Sequence, residues 1–223
     1  MAANPPTVAV KPQRWGVWAG LLVLGLAAAG ALYAFAGRST APPATDTLAA
    51  SAAPSALWSA GSLRAPAFSL ADENGKPFSL ASLRGRNVVV TFIDPLCRNY
   101  CPIEAQRLSD AVKTLPAASR PTIVAVSVNT YGNARANLLL DERKWKVVPQ
   151  WRWGIGSPAT LSSVWQRYHI AVLATTKKIA GITVHDIAHT EAAYVIDAAG
   201  YQRALFLWPY RSDGVASVLR SLR

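Results

Sequence analysis

Cys97 and Cys101 are the only cysteines among the 223 residues, and they stand four apart in Leu96-Cys97-Arg98-Asn99-Tyr100-Cys101-Pro102. A thiolate is both the nucleophile of thiol-disulfide chemistry and a soft metal ligand. The pair follows an apolar run, Val88 to Ile93, and opens a stretch with helical spacing. Free N–H groups and the helix dipole at such a turn lower a thiol's pKa and favour the thiolate. Around a strand-to-helix turn both sulfurs of a C-x3-C pair can face one point. The third intervening residue leaves more room than the redox spacing C-x2-C, and that room suits a cation held between two sulfurs. The bland alternative is a structural disulfide. It would close so short a loop that it removes little unfolded-state entropy, so a purely structural role is not expected, although a reversible disulfide is compatible with function. Met1 is the only methionine, which excludes thioether ligation in the folded domain.

The elements that must carry this pair alternate. Phe68-Ser69-Leu70 begins a short strand, Asp72 to Gly75 a turn, and Ser79 to Leu83 a helical turn. Val88 to Ile93 is apolar throughout, as in a strand covered on both faces. Cys101 to Thr114 has helical spacing with Ile103, Leu108, Val112 and Leu115 on its apolar face, and Pro102 suits a first helical turn. Ile123 to Val128 is a second buried strand. Ala134 to Trp145 is an amphipathic helix, and Pro158 to Tyr168 another, capped by Ser157. Ala192 to Ile196 and Tyr201 to Leu207 are strands joined by a turn, and Ser212 to Leu222 closes the chain as a helix. Strand-helix-strand units imply parallel neighbours, and the late hairpin adds antiparallel ones. The expected class is α/β: a thioredoxin-like mixed sheet flanked by helices.

The N-terminus sets the expected compartment. Trp15 to Ala36 is 22 residues without a charge, roughly 33 Å as a helix and long enough to cross a bilayer core. Lys11 and Arg14 precede it, and Trp15, Trp18 and Tyr33 lie near its ends, where amphipathic aromatics are favoured. Residues 1–14 therefore read as a cytoplasmic N-terminus, 15–36 as a transmembrane anchor, 37–61 as a flexible Ala/Pro/Ser/Thr-rich linker, and 62–223 as the folded domain. A cleaved signal peptide ending at Ala34-Phe35-Ala36 is the rival, but the apolar stretch exceeds the usual length of such segments. Both readings put the domain outside the cytoplasm; the first gives a single-pass protein of the inner membrane with its domain on the periplasmic side. The formal net charge is +11, and from Gly61 onward 20 basic residues face 11 acidic ones. These charges are scattered and no nucleic-acid motif accompanies them. They read as a solvated basic surface, then as a docking face for an acidic partner; nucleic acid is not expected.

The cysteine segment resembles the Sco/SenC family, which carries C-x3-C-P at the start of a thioredoxin-fold helix. In that family a distant histidine completes a copper site shortly before a strand reading roughly Y-L-I-D-x-x-G. The similar segment here is His189-Thr190-Glu191-Ala192-Ala193-Tyr194-Val195-Ile196-Asp197-Ala198-Ala199-Gly200. The resemblance extends to Ala65-Pro66-Ala67-Phe68-Ser69-Leu70 and to Gly156-Ser157-Pro158 before the helix ending in Tyr168, so it spans most of the chain from about Arg64. Three positions depart from the family pattern. Arg98 stands where a proline usually follows the first cysteine. Ser127-Val128-Asn129-Thr130 replaces Ser-Val-Asp-Pro. The aspartate usually adjacent to the histidine is displaced to Asp186.

The resemblance implies a metal site of Cys97, Cys101 and His189 holding copper as Cu(I) or Cu(II). Two thiolates and an imidazole form a soft set suited to both. His185 is the alternative ligand; His169, at a helix end, reads as a surface or capping residue. Asp94, Asp186 and Tyr100 are candidates to lie nearby. The implied function is delivery of copper to a respiratory oxidase subunit, in assembly of cytochrome c oxidase, or reduction of that subunit's cysteines before loading. The first rival is an exported thiol-disulfide oxidoreductase, with Cys97 and Cys101 as its redox pair and no stable copper; the lack of a proline from Gly181 to Asp197 counts against it. A peroxidase does not fit the residues preceding Cys97. A docking factor indifferent to its cysteines is the third alternative.

Overall fold

The computed structural model describes residues 50–222. The expected N-terminal segment, the anchor over 15–36 and the linker as far as residue 49 lie outside them. Among the described residues no helix is long and apolar enough to cross a membrane.

The strands are β1 (Ala56–Leu57), β2 (Ser69–Ala71), β3 (Pro77–Ser79), β4 (Val88–Ile93), β5 (Thr122–Ser127), β6 (Trp151–Gly154), β7 (Val172–Ile179), β8 (Ile182–His189), β9 (Ala192–Ile196) and β10 (Gln202–Leu207). The α-helices are α1 (Tyr100–Lys113), α2 (Arg135–Trp145), α3 (Pro158–Arg167) and α4 (Ser212–Ser221). Six strands form one sheet in the order β1-β10-β9-β4-β5-β6. β4, β5 and β6 run parallel, whereas β9 is antiparallel to β4, β10 to β9 and β1 to β10. This is the mixed sheet with flanking helices that the alternation predicts.

β4 is central because both of its faces are covered. Val89 and Ile93 pack with α1, α2 and α4 through Leu108, Leu138 and Leu219. Val88, Val90 and Phe92 pack on the opposite side with Leu161 and Val164 of α3 and with the β2–β3 hairpin. Period-2 alternation of bulky β-branched and aromatic residues supplies both layers at once. Ser157 caps α3 by accepting from Thr160 N–H, and Pro158 opens the helix, as its sequence indicates.

Four features differ from the sequence expectation. Ile103 is 44% exposed and does not join the apolar face of α1, whose buried positions are Cys101, Ala105, Leu108, Ala111 and Val112. β6 is an additional strand on the far edge of the sheet. β7 and β8 form an additional hairpin with both faces largely exposed. Finally, the tether expected over 37–61 does not extend to Gly61. From Ser51 the backbone runs along β10: Ser55 N–H donates to the Leu205 carbonyl at 2.7 Å and Trp58 N–H to the Arg203 carbonyl at 3.0 Å. An edge strand offers its hydrogen bonds to any backbone, whatever its side chains, so Ala/Pro/Ser composition did not disclose this pairing. Gly214 in α4 permits the close approach, since a Cβ there would overlap the Ala52 carbonyl.

Glu104 places a carboxyl group wholly inside the core. Glu104 of α1 accepts from Thr91 Oγ1 at 2.6 Å and from the Tyr210 hydroxyl at 3.0 Å, both at Oε1. Its Oε2 has no partner. Burial pushes its pKa up from 4.5 to about 8, against the opposing effect of the Thr91 bond. A raised acid favours folding while it is protonated in both states, and that contribution fades as pH rises from about 4.5 through about 8. Stability of the wild type, followed by chemical denaturation, should therefore decline across this window. Glu104→Gln keeps an oxygen for both hydroxyl donors and has nothing to ionise, so its stability should change less over the same pH range and exceed wild type above pH 8.

Candidate metal centre

The antiparallel register of β4 and β9 pairs Val90 with Tyr194 and Thr91 with Ala193. The chain entering β9 therefore lies beside the chain leaving β4. The first is His189-Thr190-Glu191; the second is Asp94 to Cys101, leading into α1. Thr91 fastens this corner, because its hydroxyl contacts the Ala192 carbonyl at 3.1 Å as well as Glu104.

Cys101 is fully buried in the first turn of α1, and Cys97 is half-buried in the loop before it. Both are free thiols. Asn99 caps the helix by accepting from Tyr100 N–H at 2.9 Å. As a thiol, Cys97 donates to the same Asn99 oxygen at 2.9 Å. As a thiolate it accepts from the Cys101 thiol, and from N–H groups at the helix start, Cys101 N–H being 3.4 Å away. These bonds outweigh burial and hold the Cys97 pKa at about 6 instead of 9.0. Cys101 moves far above the ordinary thiol range, because it is the donor in the shared bond and because it is buried. The pair thus has one exposed-side thiolate and one inner thiol that gives up its proton only when something replaces it.

Arg98, at the position where a proline was expected, pins the loop. Its Nη1 donates to the Pro95 and Cys97 carbonyls, each at 2.9 Å. The same atom lies 3.6 Å from Asp141, but with a guanidinium 60% exposed such a pair contributes only about 0–1 kcal/mol, so the carbonyl bonds define its role. Gly132 lies against the other side of the loop, where a Cβ would come 2.8 Å from Pro95 Cβ and 3.0 Å from Leu96 Cγ.

His189 ends β8, opposite Val172. Thr190 N–H donates to the Ala171 carbonyl at 3.0 Å and holds the hairpin root in place. His189 Nδ1 lies 3.1 Å from the Thr190 carbonyl. That oxygen can only accept, so Nδ1 carries the proton and the Nε2 lone pair is free. Nε2 is 4.0 Å from Cys101 Sγ. Burial lowers the His189 pKa, which keeps the ring neutral and able to ligate. A borderline-soft ion lies about 2.3 Å from sulfur and about 2.0 Å from imidazole nitrogen, so one ion reaches donors up to about 4.3 Å apart. The observed 4.0 Å is within that reach. Donor type and tautomer fit a copper ion, and the spacing fits for Cys101 and His189; among the described residues the group of ligand atoms within 4.8 Å of one another does not include Cys97, which lines the same cleft.

The other histidines are elsewhere. His185 stacks on Tyr131 with ring centroids 3.8 Å apart and planes at 8°, and its Nδ1 contacts Thr176 Oγ1 at 3.3 Å. His169 is exposed, with φ 56°, just past the end of α3. Asp94, Asp186, Tyr100 and His185 line a cleft of roughly 640 Å3 in front of Cys97 and His189. Asp186 is paired across the hairpin with Lys177 at 3.1 Å. Asp94 is buried, which raises its pKa, and its carboxylate accepts from Leu96 N–H at 2.7 Å. The residue that sequence reasoning passed over is Glu191. Ligand atoms of Cys101, His189 and Glu191 all lie within 4.8 Å of one another. Burial, then the neighbouring Cys97, raise the Glu191 pKa to about 7. An acidic residue two positions after the candidate histidine was its one visible signal.

The fold and the paired thiols define a thioredoxin-like domain with its cysteines at the start of the first major helix. The SCO1/SenC family model matches residues 59–222, and the chain belongs to that family. No curated protein sequence matches it. Among solved structures it is similar to ScoI of Bradyrhizobium japonicum with copper bound, at 20% identity and TM-score 0.62, covering 72% of this chain and 99% of that one. Yeast Sco1 with copper bound aligns at 16% identity and TM-score 0.62, covering 71% and 87%. BsSco, described as a Sco-family cytochrome c oxidase assembly protein with a disulfide switch, aligns at 20% identity and TM-score 0.58, covering 74% and 96%. At these identities the likeness establishes the fold.

The thiol asymmetry is directly measurable. Alkylation of the wild-type protein by iodoacetamide should accelerate roughly ten-fold between pH 5 and pH 7, with a midpoint near 6, as the Cys97 thiolate forms. Cys97→Ser should abolish this phase, because Cys101 is buried and protonated throughout. Mass spectrometry of the labelled peptide checks both outcomes.

Proposed function

We propose that this chain carries one copper ion as cargo, held by Cys97, Cys101 and His189, and passes it to a copper-receiving subunit of a respiratory oxidase. The observation that carries the reading is the approach of His189 Nε2 to Cys101 Sγ, with the imidazole proton committed to the Thr190 carbonyl. Family membership and the copper-bound relatives support it. Three soft-to-borderline donors beside an open cleft hold Cu(I) well and leave a side from which a recipient's ligands can enter. The uncharged stretch over residues 15–36 supports a single-pass anchor in the inner membrane, with the domain on the periplasmic side, where the recipient site would be reached without crossing the bilayer.

A second reading has its own observation. A thiolate with pKa about 6 beside a protonated partner thiol is equipped to attack a disulfide and then be displaced by the inner sulfur. In that role the chain would reduce the recipient's cysteines before copper is loaded.

Anaerobic Cu(I) titration of the purified full-length chain in detergent separates the two. The copper reading predicts one ion per chain, with Cys97→Ser and His189→Ala each lowering affinity at least about ten-fold, and His185→Ala leaving it within about two-fold. A wild-type chain that binds no Cu(I) yet reduces a model disulfide would establish the reductase reading instead.

A further inference from the structure

Beside the three residues that the family motif supplies stands one further acidic side chain. Glu191 stands at the corner between the hairpin and β9, where Trp208 N–H donates to its backbone carbonyl at 3.1 Å and holds the chain. Its carboxylate lines the cleft with Cys97 and His189. It takes part in no ion pair among the described residues, although the chain carries a surplus of basic side chains. The nearby acidic residues of the cleft are otherwise engaged, Asp186 with Lys177 and Asp94 with the backbone. An unpaired, half-buried carboxylate beside the Cys101 sulfur and the His189 imidazole, with Cys97 on the same cleft, is electrostatically unfavourable until a cation joins it.

We propose that Glu191 is a fourth, oxygen donor to the ion held by Cys97, Cys101 and His189, and that it biases this site toward the divalent state of copper. The inference rests on the copper reading above. Two physical reasons give it direction. A carboxylate is a hard donor, which adds little to Cu(I) and much more to Cu(II). Two thiolates and one carboxylate also carry three negative charges, which a divalent ion offsets better than a monovalent one. The carboxylate thereby completes a four-donor set, and displacing it is a natural first step when a recipient's ligands enter from the cleft.

The test uses full-length wild type, Glu191→Gln and Glu191→Ala in detergent under anaerobic conditions. Cu(I) and Cu(II) affinities are measured by competition with chromophoric chelators, and the Cu(II) form by electron paramagnetic resonance. The expected result is a loss of Cu(II) affinity of about ten-fold or more in both variants, with Cu(I) affinity within about three-fold of wild type. Each ten-fold selective loss raises the potential of the bound one-electron couple by about 59 mV. The Cu(II) spectrum should change with it. Retained Cu(I) binding reports an intact cysteine-histidine site in the variants. Unchanged Cu(II) affinity and spectrum would overturn the proposal, as would equal weakening of both oxidation states. Absence of copper binding in the wild type would instead defeat the underlying copper reading.

Discussion

The side-by-side pairing of β4 and β9 in opposite directions determines the arrangement of the candidate metal centre. β4 is a six-residue run buried on both faces, and its C-terminal end releases the loop that carries Cys97 and Cys101 into α1. β9 begins where β4 ends, so whatever precedes β9 in sequence arrives at that loop. A parallel neighbour would have delivered the end of a strand and the residues following it. The antiparallel one delivers a beginning, and with it His189 and Glu191. Thr91 and Glu104 tie the two strands to α1 at this corner, and the ionisable carboxylate inside the core is the energetic cost of that tie.

The two sulfurs are then differentiated by burial, Cys101 being enclosed and Cys97 half-exposed. Cys97 receives N–H groups and the Cys101 thiol, while Cys101 is enclosed by α1 and the sheet. Neither arrangement needs a charged lysine or arginine at the sulfurs. Arg98 spends its donors on backbone carbonyls and so stiffens the loop as a proline would by ring closure. Its charge contributes little, because water reaches most of the guanidinium.

Much of this was legible in the sequence because the informative signals were local. The run Val88 to Ile93, the C-x3-C-P that follows it, and the cap at Ser157 each declare an element within a dozen residues. The β7–β8 hairpin was not legible. Its strands have no clean alternation because both faces are largely exposed, and its turn is Ala180-Gly181, with φ of 49° and 81°, instead of an Asn-Gly or Asp-Gly pair. Without the hairpin, His189 could be placed in a late loop by motif spacing alone, and His185 competed with it. The hairpin register separates the two: it places His189 at the root beside Cys101, and His185 four residues farther out, against Tyr131. Glu191 left only the weak signal of its spacing from His189 for the same reason, since only the corner between hairpin and sheet brings it close to Cys101. The segment from Ser51 to Trp58 illustrates a different limit, because backbone pairing to an edge strand leaves no mark on composition.

The proposed copper site depends on folding delivering one imidazole, that of His189, to the cysteine pair. X-ray absorption at the copper edge of the loaded full-length protein, compared with its His189→Ala and His185→Ala variants, tests it most directly. Two sulfur neighbours and one imidazole nitrogen are expected in the wild type and in His185→Ala, with the imidazole signal lost in His189→Ala. An imidazole that persists in His189→Ala, or disappears in His185→Ala, would contradict it.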